Sequence, residues 1–198
     1  MAYRQRKTST TATSNSSSAL GIAESYRGER STLAGAVVRA NRVVDGFVFG
    51  SCTVGGTDAT DAIIDLFDRL GRPDVSYVLV AGIAPAWFNV VDLHRLQEAT
   101  DRPVLSVTFE ASPGLADAIR DAFEGDARRR RLGTYRAQPD RRRVVVDDGT
   151  VFVRNVGVDD ATAAEVVRAF TPEGERPEPV RVARQAARAA DEYRHGDD

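Results

Sequence analysis

The chain has 198 residues, 42% of them hydrophobic, which suffices for one folded domain and is too apolar for a disordered chain. Its formal charge is only −2, so no global basic excess marks it as a nucleic-acid binder. No apolar run approaches the roughly 20 residues of a membrane span, and the N-terminus lacks the apolar block of a secretory signal. The expectation is a soluble, cytoplasmic protein with no membrane partner. The lone Cys52 excludes an internal disulfide, and with only His94 and His195 beside it no Cys/His zinc site can form. No G-x-S-x-G nucleophile motif occurs either. Basic residues comprise Lys7 and 26 arginines, and Asp outnumbers Glu by 19 to 10, the bias of a GC-rich genome.

Residues 1–18 form a Ser/Thr-rich tail carrying Arg4, Arg6 and Lys7, which reads as a disordered extension of a single domain over 19–198. Three strands follow, at 19–24, 32–40 and 43–54, with Asn41-Arg42 as a tight link between the last two. Such short links favour antiparallel neighbours, hence a meander. The period then changes: Ala59, Ile63, Leu66, Phe67 and Leu70 recur at helical spacing, with Asp58 at the N-cap position and Gly71 at the end. A continuous apolar strand over 76–81 suits a buried parallel strand. Beyond it the pattern predicts a helix around 89–99, a strand at 103–109, a helix at 114–123 and a basic helical segment past 125. A hairpin turning at Asp148-Gly149 precedes helices near 159–170 and 179–194. An antiparallel meander leading into β-α-β units, then a hairpin and helices, is the plan of an α/β ribonuclease H-like mixed sheet.

Ligands of such sheets collect at the carboxyl ends of the parallel strands. Glu24 and Tyr26 leave the first strand there. Gly55-Gly56-Thr57-Asp58 forms a turn into a helix whose N–H groups suit an anion. Ala81-Gly82 ends the buried strand ahead of Trp87-Phe88-Asn89. Glu24 and Asp58 are the acids available for magnesium or manganese, and Tyr26, Trp87 and Phe88 have faces on which a base could stack. Arginines concentrate at 128–143, a local charge of +7, and Arg181, Arg184 and Arg188 share a helix face. Both clusters suit phosphates.

The run V-x-G-G-T-D-A-T, the stretch G-I-A-P-A-W-F-N-V-V-D and the ending P-E-P-V-R-V-A-R together resemble the archaeal deoxyuridine endonuclease (endonuclease dU) family, which is similar to endonuclease V. The resemblance covers about residues 19–192. It implies a ribonuclease H-like fold and magnesium-dependent nicking of DNA, as a repair hydrolase, beside a deaminated base. Glu24 and Asp58 would then be the catalytic metal ligands. Tyr26, Gly55, Gly56, Thr57, Phe88, Asn89, Arg181 and Arg184 would contact DNA, or RNA in its place. The chain departs from the family pattern at four points. Where the first strand usually ends Gly-Val/Ile-Asp-Asp, it reads Gly21-Ile22-Ala23-Glu24; where Asp-Gly-x-Asp-Ala-Thr is usual, Gly55 replaces the first acid. Ala81 stands where the buried strand usually ends in Asp, and Arg184 stands for a histidine. Glu110, at the end of the following strand, is another acid that could compensate. Three readings therefore remain: a metal-dependent endonuclease, a nucleic-acid-binding protein that no longer cuts, and a binder of a phosphate-bearing small molecule at Gly55-Gly56.

Overall fold

A computed structural model describes residues 17–147 and 149–196. Nearly all of the expected tail, and Asp148 of the expected hairpin turn, lie outside these residues. Seven strands form one mixed sheet in the order β3-β2-β1-β4-β5-β7-β6. The three-strand meander is β1 (Ser18–Arg27), β2 (Arg30–Arg39) and β3 (Val44–Thr53). Both of its pairings are antiparallel. Next come α1 (Ala59–Leu70), β4 (Val75–Ala81), the single distorted turn α2 (Pro85–Phe88) and α3 (Leu93–Thr100). Strand β5 (Val104–Thr108) precedes α4 (Ala116–Ala122) and the arginine-rich α5 (Gly125–Ala137). Strands β1, β4 and β5 are parallel. The expected hairpin is β6 (Arg142–Val146) and β7 (Gly149–Val156), which extends the sheet beyond β5. Helices α6 (Asp160–Ala169) and α7 (Glu178–His195) complete the chain. The fold is thus the expected α/β mixed sheet, with helices on both faces.

Alternation along the central strands assigns each residue its face. Leu20, Ile22, Val78 and Val80 pack with Ile63, Leu66 and Leu96 beneath α1 and α3. On the opposite face Ala19, Leu79, Leu105 and Val107 meet Val166 and Val167 of α6 and Phe170 just beyond it. Helix α7 crosses that second face closely over β1. A Cβ added at Gly21 would lie 2.1 Å from the Pro179 carbonyl, so only glycine lets the helix sit there. Buried Asp191, near the other end of α7, accepts hydrogen bonds from Thr32 and Ser25 and lies 3.6 Å from Arg27, tying the helix to the first hairpin. Among the described residues no helix is long and apolar enough to cross a membrane.

Candidate functional site

Ile22 of β1 pairs with Val80 of β4, so Ala23 and Ala81, one residue further along these parallel strands, are neighbours. Both methyl groups pack into a small apolar cluster with Val182 and Ala183 of α7. This is the place where the family pattern puts two aspartates, and neither alanine offers an oxygen. Glu24, next in the chain, points to the other face by strand alternation and accepts a hydrogen bond from Ser31 at 2.8 Å.

Asp58 occupies the N-cap position of α1 but does not cap the helix with its side chain. Its carboxylate turns back to β3, accepting from the Thr53 N–H at 3.1 Å, the Thr53 hydroxyl at 2.9 Å and Asn89 Nδ2 at 2.7 Å. Burial pushes its pKa upward, but the hydrogen bonds from Asn89 and Thr53 outweigh that and hold it below the ordinary carboxylate range. Asn89 is fully buried and its amide is fully engaged: Nδ2 donates to Thr53 O and Asp58, and Oδ1 accepts from the Ala59 N–H at 2.9 Å. Cys52 is buried near both acids. Its thiol is pushed up to about 12, first by burial and then by the charges of Asp58 and Glu24.

The donor set does not fit the magnesium or manganese ion that the family resemblance implies. Among the described residues, no three His, Cys, Asp or Glu side chains converge to hold a metal. The two alanines contribute nothing, Glu24 faces Ser31, and the Asp58 carboxylate is taken up by Thr53 and Asn89.

The Gly55-Gly56 turn also differs from expectation. Its N–H groups are not free for an anion: Gly55 N donates to Ala86 O at 2.7 Å and Gly56 N to Thr53 O at 3.0 Å. The facing segment is strained, with Ala86, Trp87 and Phe88 all at positive φ (48, 55 and 59°). Arg131 locks the two together. Only 6% exposed, it donates to the carbonyls of Gly55, Gly56 (3.0 Å) and Phe88 (3.2 Å), and its guanidinium lies 3.9 Å over the Phe123 ring. Phe88 and Trp87 pack against that same ring, while Trp87 leaves 49% of its surface in solvent. Thr57 is exposed beside the turn, and Tyr26, 46% exposed, stands at the end of β1.

A cavity of about 400 Å³ opens at the ends of β4 and β5, floored by Ala81, Gly82, Ser106 and Thr108. Its charged lining is Arg141, Arg154, Arg176 and Arg184 against the single acid Glu110. None of these five forms an ion pair among the described residues. Of the two arginines expected to bind nucleic acid on α7, only Arg184 reaches the cavity. Arg181 is held by both carboxylate oxygens of Glu178, through Nε at 2.6 Å and Nη2, so its charge is already matched.

The sequence reading singled out neither Arg131 nor the cavity. Arg131 lies in an unbroken arginine run, and its inward aim shows only in the i, i+4 spacing of Ala127, Arg131 and Tyr135. The cavity joins residues spread from Ala81 to Arg184, which no local pattern announces.

A central parallel trio, flanked by an antiparallel meander and covered by helices on both faces, defines a ribonuclease H-like protein. Solved structures agree. A Ciona intestinalis endonuclease V, crystallised with a 24mer DNA containing an inosine followed by a ribo-adenosine, superposes with TM-score 0.60 at 13% identity, covering 90% of this chain and 87% of its own. An Archaeoglobus fulgidus protein of unknown function superposes with TM-score 0.79 at 26% identity, covering 88% and 98%. The endonuclease dU family model matches residues 15–191. A UPF0215 protein of Thermococcus kodakarensis is 37% identical over 163 residues, covering 81% of this chain and 82% of its own. The chain belongs to the endonuclease dU family.

Proposed function

We propose that this protein binds nucleic acid on the family's nuclease fold without metal-dependent cleavage. One observation carries the reading: Ala23 and Ala81 lie side by side at the strand ends, packed against α7, and among the described residues no three His, Cys, Asp or Glu side chains converge to hold a metal. A divalent cation that activates water needs several converging oxygens, and Glu24 and Asp58 are each held elsewhere. The nucleic-acid partner is supported by family membership and by the endonuclease V fold. It is supported too by a surface with the right chemistry. Trp87 and Tyr26 offer exposed rings for stacking. Arg128, Arg130 and Arg136 on α5 have no carboxylate partner among the described residues and can meet phosphates.

The test follows a labelled deoxyuridine duplex, with inosine, undamaged and RNA controls, through binding and nicking together. Magnesium and manganese are each supplied, at low and at molar potassium chloride. Binding is expected at low salt and weakens toward molar potassium chloride, with no nicking under any of the conditions. Metal-dependent nicking that disappears in Glu24→Gln or Asp58→Asn would overturn the reading and restore the endonuclease.

A further inference from the structure

The cavity at the ends of β4 and β5 is where a metal-dependent relative would concentrate negative charge, and in this chain its sign is reversed. Four arginines against Glu110 leave a formal charge of +3 around about 400 Å³. Three of the four are laid on aromatic rings. Arg141 lies 4.5 Å over Phe152, Arg154 lies 5.1 Å over Tyr135, and Arg176 lies 4.6 Å over Phe109. Such stacking orients a guanidinium. Both Nη atoms of Arg141 and of Arg154 also donate to protein oxygens, Arg154 Nη2 to the Tyr135 hydroxyl at 3.1 Å. Arg141 and Arg154 are fixed further by backbone carbonyls, Arg141 to Glu110 (3.2 Å) and Ser112 (2.6 Å), and Arg154 to Pro139. Arg176 and Arg184 donate to nothing among the described residues. Ser106, Thr108 and Ser112 line the same space.

We infer that this cavity is an anion site for the phosphate of a nucleotide unit. Guanidinium forks match phosphate oxygens in pairs, and hydroxyls can donate to the remaining lone pairs. The volume exceeds what a bare phosphate fills and suits a nucleotide-sized ligand. That phosphate is either the end of a strand or part of a free nucleotide, and the inference rests on the proposed nucleic-acid reading only for the first of these. Ala81 is central to the argument. An aspartate there would sit on the cavity floor and repel the phosphate, whereas the methyl group leaves Glu110 as the one acid against the four arginines.

The full chain is titrated with labelled oligonucleotides bearing a 5′-phosphate, a 3′-phosphate or neither, and with nucleoside monophosphates. Inorganic phosphate serves as competitor and acetate as its control. Arg176→Gln/Arg184→Gln is the principal variant, since neither side chain donates a hydrogen bond or forms an ion pair among the described residues. Ala81→Asp is the second, and Arg188→Gln, outside the cavity on α7, controls for net charge. If a strand end is the ligand, a terminal phosphate tightens binding at least about tenfold, and inorganic phosphate removes that gain. If a free nucleotide is the ligand, monophosphates bind and raise the melting temperature with no preference among oligonucleotide ends. Either gain is lost in the double variant and in Ala81→Asp, and kept in Arg188→Gln. The inference is overturned if no phosphate species binds, or if the double variant binds as the parent does. Duplex binding without phosphate competition would defeat the cavity and leave the proposed function standing; phosphate binding without any nucleic-acid binding would do the reverse.

Discussion

Two corners of this molecule carry arginine, and they use it in opposite ways. Around Asp58 and Arg131 the polar groups face one another. The guanidinium meets the carbonyls of Gly55, Gly56 and Phe88, while Asn89 bridges Asp58, Thr53 and Ala59. At the ends of β4 and β5, Arg176 and Arg184 face open space. The first corner is an internal brace that holds a strained segment and displays Trp87; the second is a field of four arginines against the one acid Glu110. The motif residues that suggested a site, Gly55, Gly56, Asp58 and Asn89, turned out to be the brace. An engaged polar group contributes to stability, and an unengaged one is available to a ligand.

The sharpest way to break this comparison is to remove one arginine from each corner. Arg131→Met leaves three backbone carbonyls without their donor in a buried setting, and a loss of about 3 kcal/mol in urea-unfolding stability is expected. Arg184→Gln is expected to change stability by less than about 0.5 kcal/mol, since among the described residues the side chain has no hydrogen-bond or ion-pair partner to lose. Equal losses at both positions would show that the corners are not distinct. Asn89→Ala comes next. It leaves the Ala59 N–H unpaired, takes one of two donors from the Thr53 carbonyl, which keeps the Gly56 N–H, and removes a donor from Asp58, so about 2 kcal/mol should be lost in the same assay. Phosphate binding by the folded fraction should be unchanged.

The same contrast explains what the sequence could reveal. Periodicity located the elements well, because Ile63 and Leu66 or Val78 and Val80 must face a core whichever tertiary partner they meet. Antiparallel links and β-α-β order then sufficed for the sheet. Helix ends were less legible. Asp58 has the identity and position of a capping residue, yet its carboxylate bonds backward to Thr53, a choice set by Asn89 from 31 residues away. The run at 85–88 reads as the approach to a helix, but Arg131, remote in sequence, helps hold it in the left-handed region. The surroundings of the candidate site residues were hard to read for a related reason. Residue type shows that Asn89 can hydrogen-bond, not that Ala59, Thr53 and Asp58 already use every bond it has. The losses at Ala23 and Ala81 were fully legible, since an alanine provides no ligand in any fold. The sign reversal beside them was not, because Arg141, Arg154, Arg176 and Arg184 meet only in three dimensions.

Acid titration gives the smallest expected effect and isolates the brace most cleanly. Asp58 is held below its ordinary value of 3.8 in the folded protein, whereas in the unfolded chain it titrates near that value. A depressed carboxylate contributes its stability above the unfolded pKa and loses it as pH falls through the folded one. Wild type should therefore exceed Asp58→Asn in stability near pH 6, and the gap should close as acid protonates Asp58. Asp45 and Asp74, both lowered by arginine partners, titrate in this range as well. They are present in wild type and variant alike, so their contribution cancels in the difference. Cys52, with its thiol pushed up to about 12, stays protonated throughout. Parallel stability curves for the two proteins down to pH 3 would mean that Thr53 and Asn89 hold the side chain without favouring its charge, and the brace would then owe its strength to Arg131 alone.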